Sequence, residues 1–190
     1  MEYLTFKFGF CVSRTNNDTP CVQILIDENS VIDKLYLDQA GTVDDLAATM
    51  QWVTINSTIA DHVASQHTIR VQALNIDDSK KTCGDFGFQL RSVRINDVIL
   101  EHFSKNSAVY NPILHSSYIT DFLEPNNKLC EIEYIDNRAY HVQRGDYANY
   151  VNSKDGWFEM TFDTPLYNWL TVDNNFGAMH QWLIIRYFKK

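Results

Sequence analysis

Glycine and proline are scarce in this sequence, 7 and 4 among 190 residues, and the glycines are scattered. None of them forms a Gly-x-Gly-x-x-Gly turn or a P-loop, which excludes the backbone cradles that hold nucleotide phosphates. Positive charge is also short. Lys and Arg total 16 against 24 Asp and Glu, for a net charge of −8, and no basic cluster exceeds the pairs Lys80-Lys81 and Lys189-Lys190. A surface that tracks a nucleic-acid backbone is excluded on that count. No apolar run approaches the ~18 residues needed to cross a bilayer. The start, Met1-Glu2-Tyr3-Leu4, has no basic region leading into an apolar stretch, so the expectation is synthesis in a cytoplasm without an export signal or membrane insertion. The four cysteines, Cys11, Cys21, Cys83 and Cys130, lack C-x-x-C spacing and a histidine at zinc-finger distance. Cys11 and Cys21 flank the polar loop 12–20. Buried free thiols are the favoured reading in a chain without a signal peptide, and a disulfide across the loop is the alternative. Asn17-Asp18-Thr19 and Asn56-Ser57-Thr58 fit the glycosylation pattern but read as chance in a chain that is not exported. Catalytic signatures are missing too. There is no Gly-x-Ser-x-Gly elbow, and the histidines at 62, 67, 102, 115, 141 and 180 form no His-Glu-x-x-His pair.

Core-forming material is plentiful, with 45% hydrophobic residues, 10 Tyr and 11 Phe. The polar residues are skewed, with 17 Asp and 16 Asn but only 7 Glu. Asp and Asn bond their own backbone at turns and caps, so this bias favours many strands joined by many turns over helices. With glycine scarce, Asn and Asp are expected at the left-handed turn positions. Leu4, Phe6, Phe8 and Phe10 alternate with polar or small residues, the period of a strand with one buried face. Val22, Ile24 and Ile26, the turn 27–30 and the return 31–37 read as a hairpin. Further strands are expected at 52–59, 67–74, 86–95, 98–103, 118–123, 129–135, 139–143, 157–162 and 181–188. In 86–95 the apolar positions change phase between Leu90 and Val93, which calls for a bulge. Thr42 and Asp45 outline a capping box for one short helix over 43–50. Residues 104–117, with Asn111-Pro112, read as a boundary or long connection. The fold class expected is all-β, an antiparallel β-sandwich or jelly roll with at most one short helix. The organisation expected is a sandwich over 1–103 with a β-rich extension over 104–190, either separate or packed on the same core.

Two constellations are candidate sites. Trp52, Trp157, Trp169 and Trp182 offer aromatic surface; Trp157 and Trp182 lie in alternating strands and read as packing or interface residues. Trp169, with Tyr167 and Asn168 in Pro165-Leu166-Tyr167-Asn168-Trp169-Leu170, reads equally as a packing residue and as the candidate glycan platform, where an indole would stack on a sugar ring. The loop carrying Asn75, Asp77, Asp78 and Asp85 supplies hard oxygens suited to calcium. Lys80 and Lys81 in the same loop oppose a cation, so a solvated acidic turn is the stronger reading and no cofactor is required.

Segment 67–97 resembles the second half of the calcium-dependent, xylan-type carbohydrate-binding modules. The run from His67 to Asn75 matches their His-led alternating strand, Asp85 falls at the family's second Asp, and Val93, Ile95 and Asn96 keep its register. Ile76 stands in place of the first Asp, Phe86-Gly87 in place of Arg-Asn, Arg91 at a usually acidic position and Asp97 in place of a Gly. Over residues 4–102 the likeness implies a jelly roll, and Asn75, Asp77 and Asp85 as what remains of a calcium loop. Gly156 to Leu170 is similar to segments of small β-rich virion proteins of tailed phages. That similarity implies a non-enzymatic structural protein, a capsid decoration or tail component with a lectin-like sandwich, located in the virion. Its implied partners are major capsid or tail proteins and further copies of itself, with a trimer at a lattice axis as one natural form. A glycan-binding module for host-surface polysaccharide is the first alternative. A polysaccharide-cleaving enzyme is the second, since two suitably spaced carboxylates suffice for that chemistry.

Overall fold

Alternating burial is the rule that builds this molecule. In a computed structural model that describes residues 3–13, 19–42, 50–76, 87–100, 106–114, 130–145 and 148–172, two antiparallel sheets face each other. The strands are β1 (Tyr3–Ser13), β2 (Cys21–Ile26), β3 (Asn29–Tyr36), β4 (Gln51–Ala60), β5 (Ser65–Ala73), β6 (Gly87–Ile95) and β7 (Val98–Ile99). They continue as β8 (Ser107–Pro112), β9 (Cys130–Ile135), β10 (Arg138–Arg144), β11 (Tyr150–Val151) and β12 (Trp157–Thr164), followed by a short helix, α1 (Leu166–Val172). The chain is therefore an all-β sandwich. The smaller sheet runs β11-β6-β1-β4, with β7 hairpinned onto β6; the larger runs β3-β2-β5-β12-β8-β10-β9.

Every second residue of β1 enters the space between the sheets, so Leu4, Phe6, Phe8 and Phe10 are fully buried. They meet Ile69 and Val71 of β5 and Phe158, Met160 and Phe162 of β12 in one apolar core. Phe6 meets Phe162 edge to face at 5.7 Å, and Phe10 meets Phe88 at 6.0 Å. Full burial of each such ring contributes about 1.5–3 kcal/mol. The expected phase change in β6 is present. Gly9 pairs with Ser92 but Phe10 pairs with Leu90, which leaves Arg91 as the extra, exposed residue while Leu90 and Val93 both stay buried.

Three hairpins turn on two residues with positive φ: Asp27-Glu28, Asn96-Asp97 and Asp136-Asn137. With the lone Asp155, six of these seven left-handed non-glycine residues are Asp or Asn. Their short polar side chains tolerate that conformation better than others do, as the composition implied.

Two features differ from the sequence reading. Residues 107–112 are not a connection but strand β8, hydrogen-bonded to β12 on one side and β10 on the other. Residues 166–172, which include the candidate glycan residues Tyr167, Asn168 and Trp169 and to which the sequence reading assigns no secondary structure, form α1, whose Leu166, Trp169 and Leu170 bury at helical spacing. Beyond Val98–Ile99 the strand expected over 98–103 does not continue through Leu100, and the rest of that segment lies outside the described residues. The helix expected from residue 43 and the strands expected at 118–123 and 181–188 also lie outside them.

Candidate functional site

The candidate residues fall into three places. Trp169 is 3% exposed; its indole meets Phe162 edge to face at 6.2 Å and belongs to the core. Tyr167 is half-buried and Asn168 exposed on the other side of α1, so the helix separates the three side chains that a glycan platform would gather. Asn75 is used for local stitching. Its Oδ1 accepts the Cys21 backbone N–H at 2.6 Å and its Nδ2 donates to the Thr19 carbonyl at 3.0 Å, which anchors the start of β2 beside the end of β5. Asp77, Asp78 and Asp85 lie outside the described residues, and no metal-binding cluster of His, Cys, Asp and Glu occurs among the described residues.

His67, which opens the strand resembling the carbohydrate-binding modules, packs on Phe162 with ring centres 5.3 Å apart. Its Nδ1 lies 2.7 Å from Asp27 Oδ2 and its Nε2 lies 3.3 Å from Thr164 Oγ1. Asp27 also accepts the Thr68 backbone N–H at 2.9 Å, so the carboxylate ties the β2–β3 turn to β5. Cys11 and Cys21 are buried free thiols.

The outer faces of the two sheets carry further aromatic side chains around Trp52 and around Trp157, the latter expected from its alternating strand to pack or line an interface. On the smaller sheet Trp52 of β4 pairs with Gly9 of β1, which in turn pairs with Ser92 of β6. A Cβ on Gly9 would stand 3.2 Å from two carbons of the indole, so the missing side chain lets the ring lie across β1. The Arg94 guanidinium sits 4.5 Å from the ring centre, within cation–π range, and Trp52 remains 42% exposed. Thr54, Asn56 and Thr58 continue the same exposed row of β4.

On the larger sheet Trp157 of β12 pairs with Tyr110 of β8, and Tyr110 with Val142 of β10. Trp157 and Tyr110 stack at 4.6 Å and 14°, with Tyr140 set edge-on to the indole at 5.2 Å. Arg70 lies 5.2 Å from the indole centre and grips Glu159 Oε2 through Nε and Nη2 at 3.0 and 2.8 Å. Arg138 lies 5.9 Å from the Tyr140 ring. Ala108, Tyr140 and Val142 form a second, smaller apolar cluster under this stack. Arg144 bonds both Glu131 and Glu133 at its border.

The Trp52 cluster has the chemistry of attachment, with flat aromatic area on a rigid strand, a planar cation and a polar surround, whereas the Trp157 cluster is packed, with Tyr140 buried and Trp157 and Tyr110 half-buried. Strand alternation marks Trp52 and Trp157 as outward-facing once the core phase is fixed by Phe8 and Phe158. The signal for Trp52 was the glycine that pairs with it, which only the register reveals. Comparison of the chain with family models, with curated proteins and with solved structures returned no match.

Proposed function

We propose that the chain is a non-enzymatic structural protein of a tailed-phage virion, a capsid decoration or tail component that works by attachment. The observation that carries the reading is the Trp52–Arg94 platform, a large aromatic ring held flat over Gly9, 42% exposed, and cushioned by a guanidinium. An exposed indole on a rigid strand loses little conformational freedom when covered, and Trp and Arg are the side chains that dominate interface energies. The similarity of residues 156–170 to phage virion proteins supplies the setting.

Particles sedimented from a lysate that carries the gene should contain the chain at a fixed ratio to the major capsid protein by quantitative mass spectrometry. Recovery only in the supernatant would overturn the proposal. Purified chain should also rebind particles that lack it, and Trp52→Ala should weaken that rebinding about tenfold or more, the effect of a hot-spot truncation.

Glycan binding is the second reading, favoured by Thr54 and Asn56 beside the exposed indole, since a sugar needs hydrogen-bonding groups around a stacking ring. A polysaccharide array that shows binding lost in Trp52→Ala supports it, and an array with no binding removes it.

A further inference from the structure

Among the described residues the sheets end on β3 and β9 in the larger and on β4 and the short β11 and β7 in the smaller, and these edges are not built alike. β3 carries Asp33 and Lys34 and runs with two register irregularities against β2. β9 carries Glu131 and Glu133, and β11 is two residues long. Charge, irregularity and shortness are the devices by which natural sheets keep their edges from pairing with another chain.

β4 is different. Its ten residues, Gln51 to Ala60, contain no charged residue, no proline and no glycine. One side is bonded to β1, and no strand among the described residues pairs with the other. From Gln51 to Asn56 the ladder with β1 is regular, and the single irregularity comes after Asn56. The first six residues therefore present a straight, neutral, β-branched edge. Val53, facing inward, is only half-buried although it packs on the core.

We infer that this edge is an interface between two copies of the chain, in which β4 pairs antiparallel with β4 of a second copy across a two-fold axis at Thr54. Opposed residues in an antiparallel pair share a face, so the register must place even positions against even and odd against odd. Centring on Thr54 sets Thr54 against itself, Val53 against Ile55 and Trp52 against Asn56, all within the regular stretch. The apolar pair continues each core into the next copy and covers the open flank of Val53. The outward row of Trp52, Thr54 and Asn56 becomes one surface with a Trp52 near each end. A second copy fits this edge. The −8 on each chain opposes contact between copies over most of the surface, and β4 is a long edge that brings no like charges together when it meets itself, whereas β9 would set its glutamates against their copies. A two-fold contact is also self-complementary by construction and is the commonest form of oligomer. The inference does not depend on what the sheet faces bind.

The test is cross-linking combined with solution mass. At the axis two copies of residue 54 would have Cα atoms ~4.5–5.5 Å apart, within disulfide reach. Thr54→Cys should give a disulfide-linked dimer under mild oxidation. Thr58→Cys, exposed on the same row but beyond the irregularity, should stay unlinked. By light scattering the wild-type chain should show twice its 22.1 kDa mass. Thr54→Lys, which sets two ammonium groups face to face, should return it to single-chain mass with an unchanged far-ultraviolet circular dichroism spectrum. Single-chain mass for the wild type at all micromolar concentrations overturns the inference. So does equal cross-linking at positions 54 and 58, or a dimer that survives Thr54→Lys.

Discussion

At Gly87 a side chain is forbidden by the strand next door. A Cβ there would stand 2.4 Å from the Val151 carbonyl oxygen and 2.9 Å from Asn152 Cα, both backbone atoms that cannot swing aside. Gly87→Ala should therefore push β11 away from β6 and cost about 1–3 kcal/mol, read as a lower urea midpoint. The two thiols give a pH signature. Burial pushes the Cys11 and Cys21 thiols up from their ordinary value, with Arg91 pulling Cys11 partly back and the Leu35 backbone doing the same for Cys21. A group raised on folding contributes stability that is whole below its unfolded pKa, about 8.5 for a thiol, and is lost as pH climbs through the folded value. The urea midpoint should hold near pH 7–8 and fall above about pH 9, and the double variant Cys11→Ala, Cys21→Ala should show a shallower fall. At this scale the sequence was informative wherever a residue type has one physical use. Asn and Asp at positive φ were legible from glycine scarcity. Trp169 was not, because an indole serves a core and a binding face equally well and only its partners decide.

Among the elements, period-two alternation located β1, β2, β5 and β12, since each has one face on the core and one outside. β8 escaped because Ser107, Ala108 and Val109 are all buried, as are Asn111 and Pro112, which erases the alternation. Asn111 also looked like turn chemistry, yet its amide bridges to the β11 segment, accepting the Asn152 N–H at 2.9 Å and donating to the Tyr150 carbonyl at 3.2 Å. α1 escaped because seven residues leave room for barely two turns of periodicity. The β9–β10 turn carries a residual cost that can be removed. Asn137 has φ 61, where glycine meets no Cβ penalty, and Asp-Gly suits a two-residue hairpin better than Asp-Asn. Asn137→Gly should raise stability by about 0.5 kcal/mol, visible as a rise of roughly 1–2 °C in the thermal midpoint.

Over the whole molecule the larger sheet interleaves distant parts of the chain, with β12 hydrogen-bonded to β5 along eight residues and to β8 on its other side. Phe158, Met160 and Phe162 fill the same core as Phe6 and Phe8. A fragment ending at residue 103 should consequently lack a cooperative urea transition, because β5 would lose its neighbour and β1 its facing side chains; a sigmoidal transition at the fragment's own midpoint would contradict this. No local pattern announces such a pairing, which is why sequence alone showed strands but not their order. The same insertion bears on biosynthesis. A ribosome that has delivered β5 must translate about ninety more residues before β12 can dock, roughly 5–20 s at ordinary elongation rates. Through that interval the nascent chain holds an open strand and unburied phenylalanines, so its yield in the cell should respond to holdase chaperones more than to the stability of the finished protein.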